Sequence, residues 1–161
     1  MIRQVVSADA AAISGIYNYY INNTVISFEE RPVSINEMEK RIRDVTVEYP
    51  WLAAEEAGEI LGYAYASKFK DRSAYRYTAE ITVYLKNGKE GKGLGTQLIS
   101  RLIDEARTRG IHTLISCITL PNERSVAIHE KFGFKKIAHF KEVGFKFNQW
   151  LDVGFWELLL G

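Results

Sequence analysis

A strand signal, TAEITVYL (Thr78 to Leu85), runs through the glycine-rich KNGKEGKGLG straight into a helix signal with Leu94, Leu98, Leu102 and Ala106 in register. A further β-branched run, HTLISCITL (His112 to Leu120), follows as soon as Gly110 closes that helix in the αL position that glycine favours. Strand, helix and strand in this order form a crossover unit, which demands a parallel pair somewhere in the fold. Alternation along Thr78 to Leu85 sets Glu80, Thr82 and Tyr84 on one face and Ala79, Ile81, Val83 and Leu85 on the other.

The remaining signals surround this unit. Ile2 to Val6 reads as a short opening strand, and Ser7 is a candidate cap for a helix with Ile13, Ile16, Tyr17 and Tyr20 on its apolar face. Ser34 and Glu37 have capping-box spacing and open a second helix, with Ile35, Met38, Ile42 and Val45 expected inward. Trp51 to Glu56 and Glu59 to Phe69 form a hairpin about Gly58. PNERSVAIHEKFG reads as a capped helix from Asn122 to Gly133, with two strands expected in Phe134 to Phe147 and Trp150 to Leu160. The fold class is therefore mixed α/β (α+β): a central sheet of about seven strands, mostly antiparallel, flanked by helices, in a single domain over residues 1–161.

Composition narrows the function classes. Lys and Arg total 21 against 20 Asp and Glu, a formal net charge of +1, without the basic surplus expected of a nucleic-acid binder. No apolar run approaches the roughly 20 residues that cross a bilayer. The only cysteine, Cys117, excludes an internal disulfide and is read as a small buried apolar residue. With no leader visible in MIRQVVSADA, the chain is expected to be cytoplasmic. The three histidines lie apart and no metal-ligand spacing appears, so no metal is expected.

Glycines 91, 93 and 95 allow close backbone approach to a ligand, with the positive end of a helix behind them and Lys89 and Lys92 at the rim. A pyrophosphate suits such a place, and a plain flexible turn explains the same glycines equally well. A P-loop is excluded because Leu94, not Lys-Ser/Thr, follows Gly93; a Rossmann fingerprint is excluded because one residue, not two, separates Gly93 from Gly95.

The junction, taken with Asn122 and HEKFGF (His129 to Phe134), resembles the GCN5-related N-acetyltransferases. That family carries Arg/Gln-x-x-Gly-x-Gly/Ala here and an aromatic-Glu-Lys-x-Gly-Phe run later. Gly93 and Gly95 match, His129 takes the aromatic place, and Glu90 departs from Arg or Gln. YPWLAAE, FKDRSAYRYTAEITVYL, LPNERSVAIHEKFGF and VGFKFNQWLDVGFWEL narrow the resemblance to the phosphinothricin and methionine sulfoximine acetyltransferases.

The resemblance implies acetyl-CoA as co-substrate and the α-amine of a small amino acid as acceptor, joined by direct transfer. It implies Glu80 as general base and His129 as a proton donor or relay near the departing sulfur. Without the family, Glu80 reads as a structural carboxylate paired with a cation, and His129 as a histidine satisfied by one hydrogen bond. Gly91, Lys92, Gly93, Leu94, Gly95 and Thr96 would hold the pyrophosphate; Val83, Tyr84, Leu85, Asn122 and Ser125 would meet the pantetheine arm. Lys70, Arg72 and Tyr75 would bind the acceptor's anionic groups, with Phe28 at the mouth of the same pocket, and Arg suits a carboxylate by its fork. Thr119 stands where relatives often have glycine, and a homodimer is implied. A polyamine, an aminoglycoside or a protein N-terminus is the rival acceptor, and an acyl-CoA sensor the rival without catalysis.

Overall fold

A computed structural model describes residues 1–161. Its strands are β1 (Ile2–Gln4), β2 (Trp51–Glu56), β3 (Glu59–Lys68), β4 (Thr78–Leu85), β5 (Thr113–Leu120), β6 (Lys135–Lys146) and β7 (Gln149–Leu159). Its helices are α1 (Ala10–Asn23), α2 (Ile35–Thr46), α3 (Leu94–Thr108) and α4 (Glu123–Lys131). The strands make one sheet in the order β1-β2-β3-β4-β5-β7-β6. Only β4 and β5, joined through α3, run parallel. The expected seven-stranded mixed sheet is the one observed.

Alternation sends the strand residues to two cores. On one face α3 lays Leu98, Ile99, Leu102 and Ala106 on Leu52, Ala64, Ala66, Ala79 and Ile81. The alanines let the helix come close, and truncating fully buried Leu102 to Ala would cost about 2–5 kcal/mol. On the other face Ile13, Ile16 and Tyr20 of α1 and Met38 and Ile42 of α2 cover Trp51, Ala53 and Tyr63. Ile35, expected inward, is exposed, because it is the first residue of α2 and the core begins one turn later.

Two caps are as the spacing predicts: Ser34 Oγ accepts from Glu37 N at 3.1 Å, and Asn122 Oδ1 from Ser125 N at 3.2 Å. Ser7 is different. It begins a short 3₁₀ turn, and the side chain that satisfies this entrance is Asp9, whose Oδ2 accepts from Val6 N at 2.8 Å.

The feature that positions the site is where one ladder stops. β4 pairs with β5 from Thr78↔Thr113 to Ile81↔Ser116 and no further. Beyond that point Thr82 to Leu85 keep only β3, and Cys117 to Leu120 keep only β7. The strands peel apart and leave unpaired backbone groups along a gap through the sheet.

Candidate active site

The gap opens into a cavity of about 470 Å³. From β4 it is lined by Glu80 through Tyr84; from β5 by Ser116 through Thr119; from α4 by Asn122, Ser125 and His129; and from the α1–α2 loop by Ile26 through Glu29. Sequence positions more than a hundred residues apart thus meet because a parallel pair separates half-way along.

Glu80 sits on β4 at the last part of the paired region, half-buried, with no ion-pair partner within 4.0 Å. Burial alone raises its pKa above the ordinary carboxylate value. A structural carboxylate would be paired. This one is unpaired and half-buried, an environment that suits a group exchanging protons.

His129 is 4% exposed and both ring nitrogens are engaged. Nδ1 lies 2.7 Å from the Ser125 carbonyl, which only accepts, so Nδ1 carries the hydrogen. Nε2 lies 2.9 Å from Ser116 Oγ and then accepts that hydroxyl's proton. Burial lowers the ring's pKa, against a smaller opposing effect of the Ser125 carbonyl, so the imidazole is neutral. A neutral ring in this tautomer holds the Ser116 hydroxyl at the gap; it has no free proton for a leaving group.

At the far end of β4, Gly91 and Gly93 take left-handed φ of 79° and 81°, which an L side chain rarely adopts. α3 begins at Leu94 with no side-chain cap, so the amides of Leu94, Gly95 and Thr96 have no partner within the helix and point at the loop. Gly95 lies under α4: a Cβ there would meet Ile128 Cδ1 at 3.0 Å. Bare amides at a helix N-terminus form an anion site, and their residues fit a pyrophosphate. The nearby Leu85 carbonyl is already taken by the Tyr20 hydroxyl.

The opposite wall is the segment between α1 and α2. Ser27 Oγ and Glu29 both bond the Tyr17 hydroxyl. The Arg41 guanidinium grips Glu29 in a fork at 2.9 and 2.8 Å. That fork, more than the weaker effect of Tyr17, holds the Glu29 carboxyl below the ordinary range, with partial burial opposing. Phe28 rests on Gly144 of β6, where a Cβ would come within 2.4 Å of its ring. Lys146 donates to the Ser27 carbonyl at 2.6 Å.

A family model described as "Acetyltransferase (GNAT) domain" matches residues 2–154. The chain belongs to the GNAT acetyltransferases. It is 39% identical over 160 residues to the L-methionine sulfoximine/L-methionine sulfone acetyltransferase of Salmonella typhimurium, covering 99% of this chain and 94% of that one. It is 36% identical over 156 residues to the phosphinothricin N-acetyltransferase of Streptomyces viridochromogenes, covering 97% and 85%. A GNAT phosphinothricin acetyltransferase from Sinorhizobium meliloti, solved in complex with acetyl-CoA, superposes with a TM-score of 0.97 at 37% identity, over 100% of this chain and 88% of that one.

In this GNAT chain the structure gathers Phe28, Glu80, Val83, Tyr84, Asn122, Ser125 and His129 around one cavity. Leu85 and the loop from Gly91 to Thr96 lie beyond it, at the end of β4 and the start of α3. Lys70, Arg72 and Tyr75 do not line it. They line a separate depression on the β3–β4 loop, whose end at Thr78 is two strand residues, about 7 Å, from Glu80.

Cys117 corrects an expectation: it is exposed, not buried, because its side of β5 faces the cavity across from Glu80. Although the residue is exposed to the cavity, partial desolvation of its thiol by the cleft walls, then the Glu80 charge, push it up to about 11, which leaves it a poor nucleophile. Glu90 turns back on its own loop and accepts from Gly88 N at 2.9 Å. Glu29, Ser116 and Lys146 were not legible as site residues. Arg41 lies one turn after Glu37 and bonds it as an ordinary helix pair, which masks its fork on Glu29.

Proposed function

We propose that this GNAT chain acetylates the α-amine of a small amino acid, such as phosphinothricin, methionine sulfoximine or methionine sulfone, using acetyl-CoA. The observation that carries the reading is Glu80: an unpaired, half-buried carboxylate of raised pKa at the edge of the gap. Glu80 takes a proton from the acceptor ammonium, the freed nitrogen attacks the thioester carbonyl, the C–S bond then breaks to release CoA, and a second proton from the nitrogen passes to the departing sulfur, so no acyl-enzyme is needed. The amides of Leu94, Gly95 and Thr96, with Gly91, Lys92 and Gly93, would hold the pyrophosphate. Val83 and Tyr84 would offer unpaired backbone to the pantetheine arm, with Leu85, its carbonyl taken by Tyr20, at the end of the same strand, and Asn122 and Ser125 flank the arm. His129 acts by fixing Ser116 beside the departing sulfur.

The acceptor's carboxylate and its side-chain oxyanion would face Lys70, Arg72 and Tyr75 on the loop that follows the Glu80 end of β3. Phe28 and Thr119 set the width of the pocket, and Thr119 Oγ1 reaches towards the Ile26 carbonyl at 3.5 Å. We further propose a cytoplasmic homodimer. Its interface would be the β6–β7 hairpin, whose Phe145, Phe147 and Trp150 are more than half exposed, at 52%, 54% and 63%. Sedimentation of a Trp150→Glu variant as a monomer, against a wild-type dimer, is the expected result.

One observation favours a second reading. Both charged side chains that line the cavity, Glu29 and Glu80, are acidic, which suits a polycationic acceptor such as a polyamine. Thiol release with a panel of amines separates the two. Release confined to phosphinothricin, methionine sulfoximine and methionine sulfone supports the amino-acid reading, and stronger release with spermidine replaces it. Tight acetyl-CoA binding with no release from any amine points to a sensor.

A further inference from the structure

Of all the lysines and arginines, Lys146 alone is buried, at 2% exposure. Its ammonium donates to the Ser27 carbonyl at 2.6 Å and lies 5.1 Å from the centroid of the Phe147 ring. No carboxylate stands within 4.0 Å of it. Glu29 and Glu30 act on it only from a distance. Withdrawing a cation from water without a contacting counter-ion is unfavourable by several kcal/mol. A methionine of similar length would fill the same space without that penalty, so stability does not explain a lysine here.

What the ammonium holds does explain it. Ser27 is the turning point of the acceptor wall: its carbonyl takes Lys146, and its hydroxyl meets Tyr17 at 2.9 Å and the amide of Glu29 at 3.2 Å. Ser27, Phe28 and Glu29 all line the cavity that contains Glu80. Two residues before Lys146, Gly144 supplies the flat seat for the Phe28 ring. One short stretch of β6 therefore grips both the backbone and the aromatic of a loop more than a hundred residues earlier in the chain.

We propose that Lys146 is a positioning residue for the acceptor amine: by fixing the Ser27 carbonyl it sets Phe28 and Glu29 opposite Glu80, and so determines acceptor affinity without touching the acetyl-CoA side. A hydrogen-bond donor on a long apolar stem meets this need, and no neutral aliphatic side chain does. The inference rests on the acetyl-transfer reading, with the acceptor on the Glu29 side of the gap.

The test is steady-state kinetics of Lys146→Met and Lys146→Arg, each substrate varied with the other saturating, beside thermal melting and amide exchange. Lys146→Met is expected to raise the acceptor KM at least tenfold. Acetyl-CoA KM stays within twofold, kcat within threefold, and Tm is unchanged or higher. Exchange protection falls selectively at the Glu29 amide, which bonds Ser27 Oγ. Lys146→Arg, which keeps a donor, brings the acceptor KM back to within threefold of wild type. An acceptor KM within twofold of wild type in Lys146→Met overturns the proposal. So does a joint rise of both KM values with a fall in Tm, or recovery of both variants only as aggregate, since a merely structural lysine gives those results. A wild-type chain that releases no thiol with any amine overturns the acetyl-transfer reading instead, and the exchange measurement still reports whether Lys146 holds the loop.

Discussion

The two sides of the gap are made of different material. The side assigned to acetyl-CoA is mostly backbone: bare amides at the start of α3, the unladdered half of β4 and the capped start of α4. The side assigned to the acceptor is side chain on a loop, held from α1 by Tyr17, from α2 by Arg41 and from β6 by Lys146. Backbone recognition tolerates almost any residue that keeps the local geometry. A wall built of converging side chains changes with each of them.

The contrast can be broken first at its meeting point. Glu80→Gln is expected to lower kcat by about 10²- to 10⁴-fold, the range for a lost general base, with acetyl-CoA binding within twofold. In the wild type, kcat/KM for the acceptor should fall as pH drops through a Glu80 pKa lying above the ordinary 4.5. Near-normal turnover in the variant would remove Glu80 from the reaction.

Next in size is a strike at the backbone side. Gly93→Ala places a Cβ on a residue with φ of 81°, a strain of about 1–2 kcal/mol, and nothing within 4 Å adds a clash. Acetyl-CoA KM should then rise about tenfold while acceptor KM holds; an equal rise in both would dissolve the distinction. The matching strike on the other side is smaller, because Arg41 and Glu29 are each about a third exposed, at 36% and 37%. Arg41→Met should raise acceptor KM up to about fivefold, the equivalent of ~1 kcal/mol for a partly solvated pair, and leave acetyl-CoA KM unchanged.

The smallest effect sharpens the picture of Glu80 itself. Its pKa is raised in the folded chain, so the folded state favours its protonated form. The stability this gives is complete below the unfolded value of 4.5 and is lost as pH rises through the folded pKa. Glu80→Gln, neutral throughout, should therefore melt slightly higher than wild type at pH 7 and show no such gain below pH 4. A variant less stable at pH 7 would mean that Glu80 has a partner the geometry does not contain.

The same division explains what the sequence disclosed. The order of elements, the parallel pair and the caps at Ser34 and Asn122 follow from periodicity and local hydrogen bonding, which neighbouring residues carry. The glycine loop was legible because left-handed backbone leaves a visible mark in residue type. The acceptor wall left none: Glu29 in SFEERP looks like any loop carboxylate until Arg41 and Tyr17 are placed around it. Cys117 was misread for a related reason, since a β5 strand fully enclosed on both faces is the ordinary case and the gap beside it depends on where a ladder ends. Lys70 and Arg72 carry a recognisable pattern, yet they line a separate depression, and pattern alone does not measure the distance to Glu80.

Because β4 and β5 part company at Ile81 and Ser116, the cleft takes its walls from helices of both layers, Tyr17 of α1 on one side and Asn122, Ser125 and His129 of α4 on the other. Two reactants bound against opposite layers of such a cleft would not have to queue behind one another. Steady-state inhibition by the free thiol and by the acetylated amine should then follow random-order patterns, each competing with its own precursor.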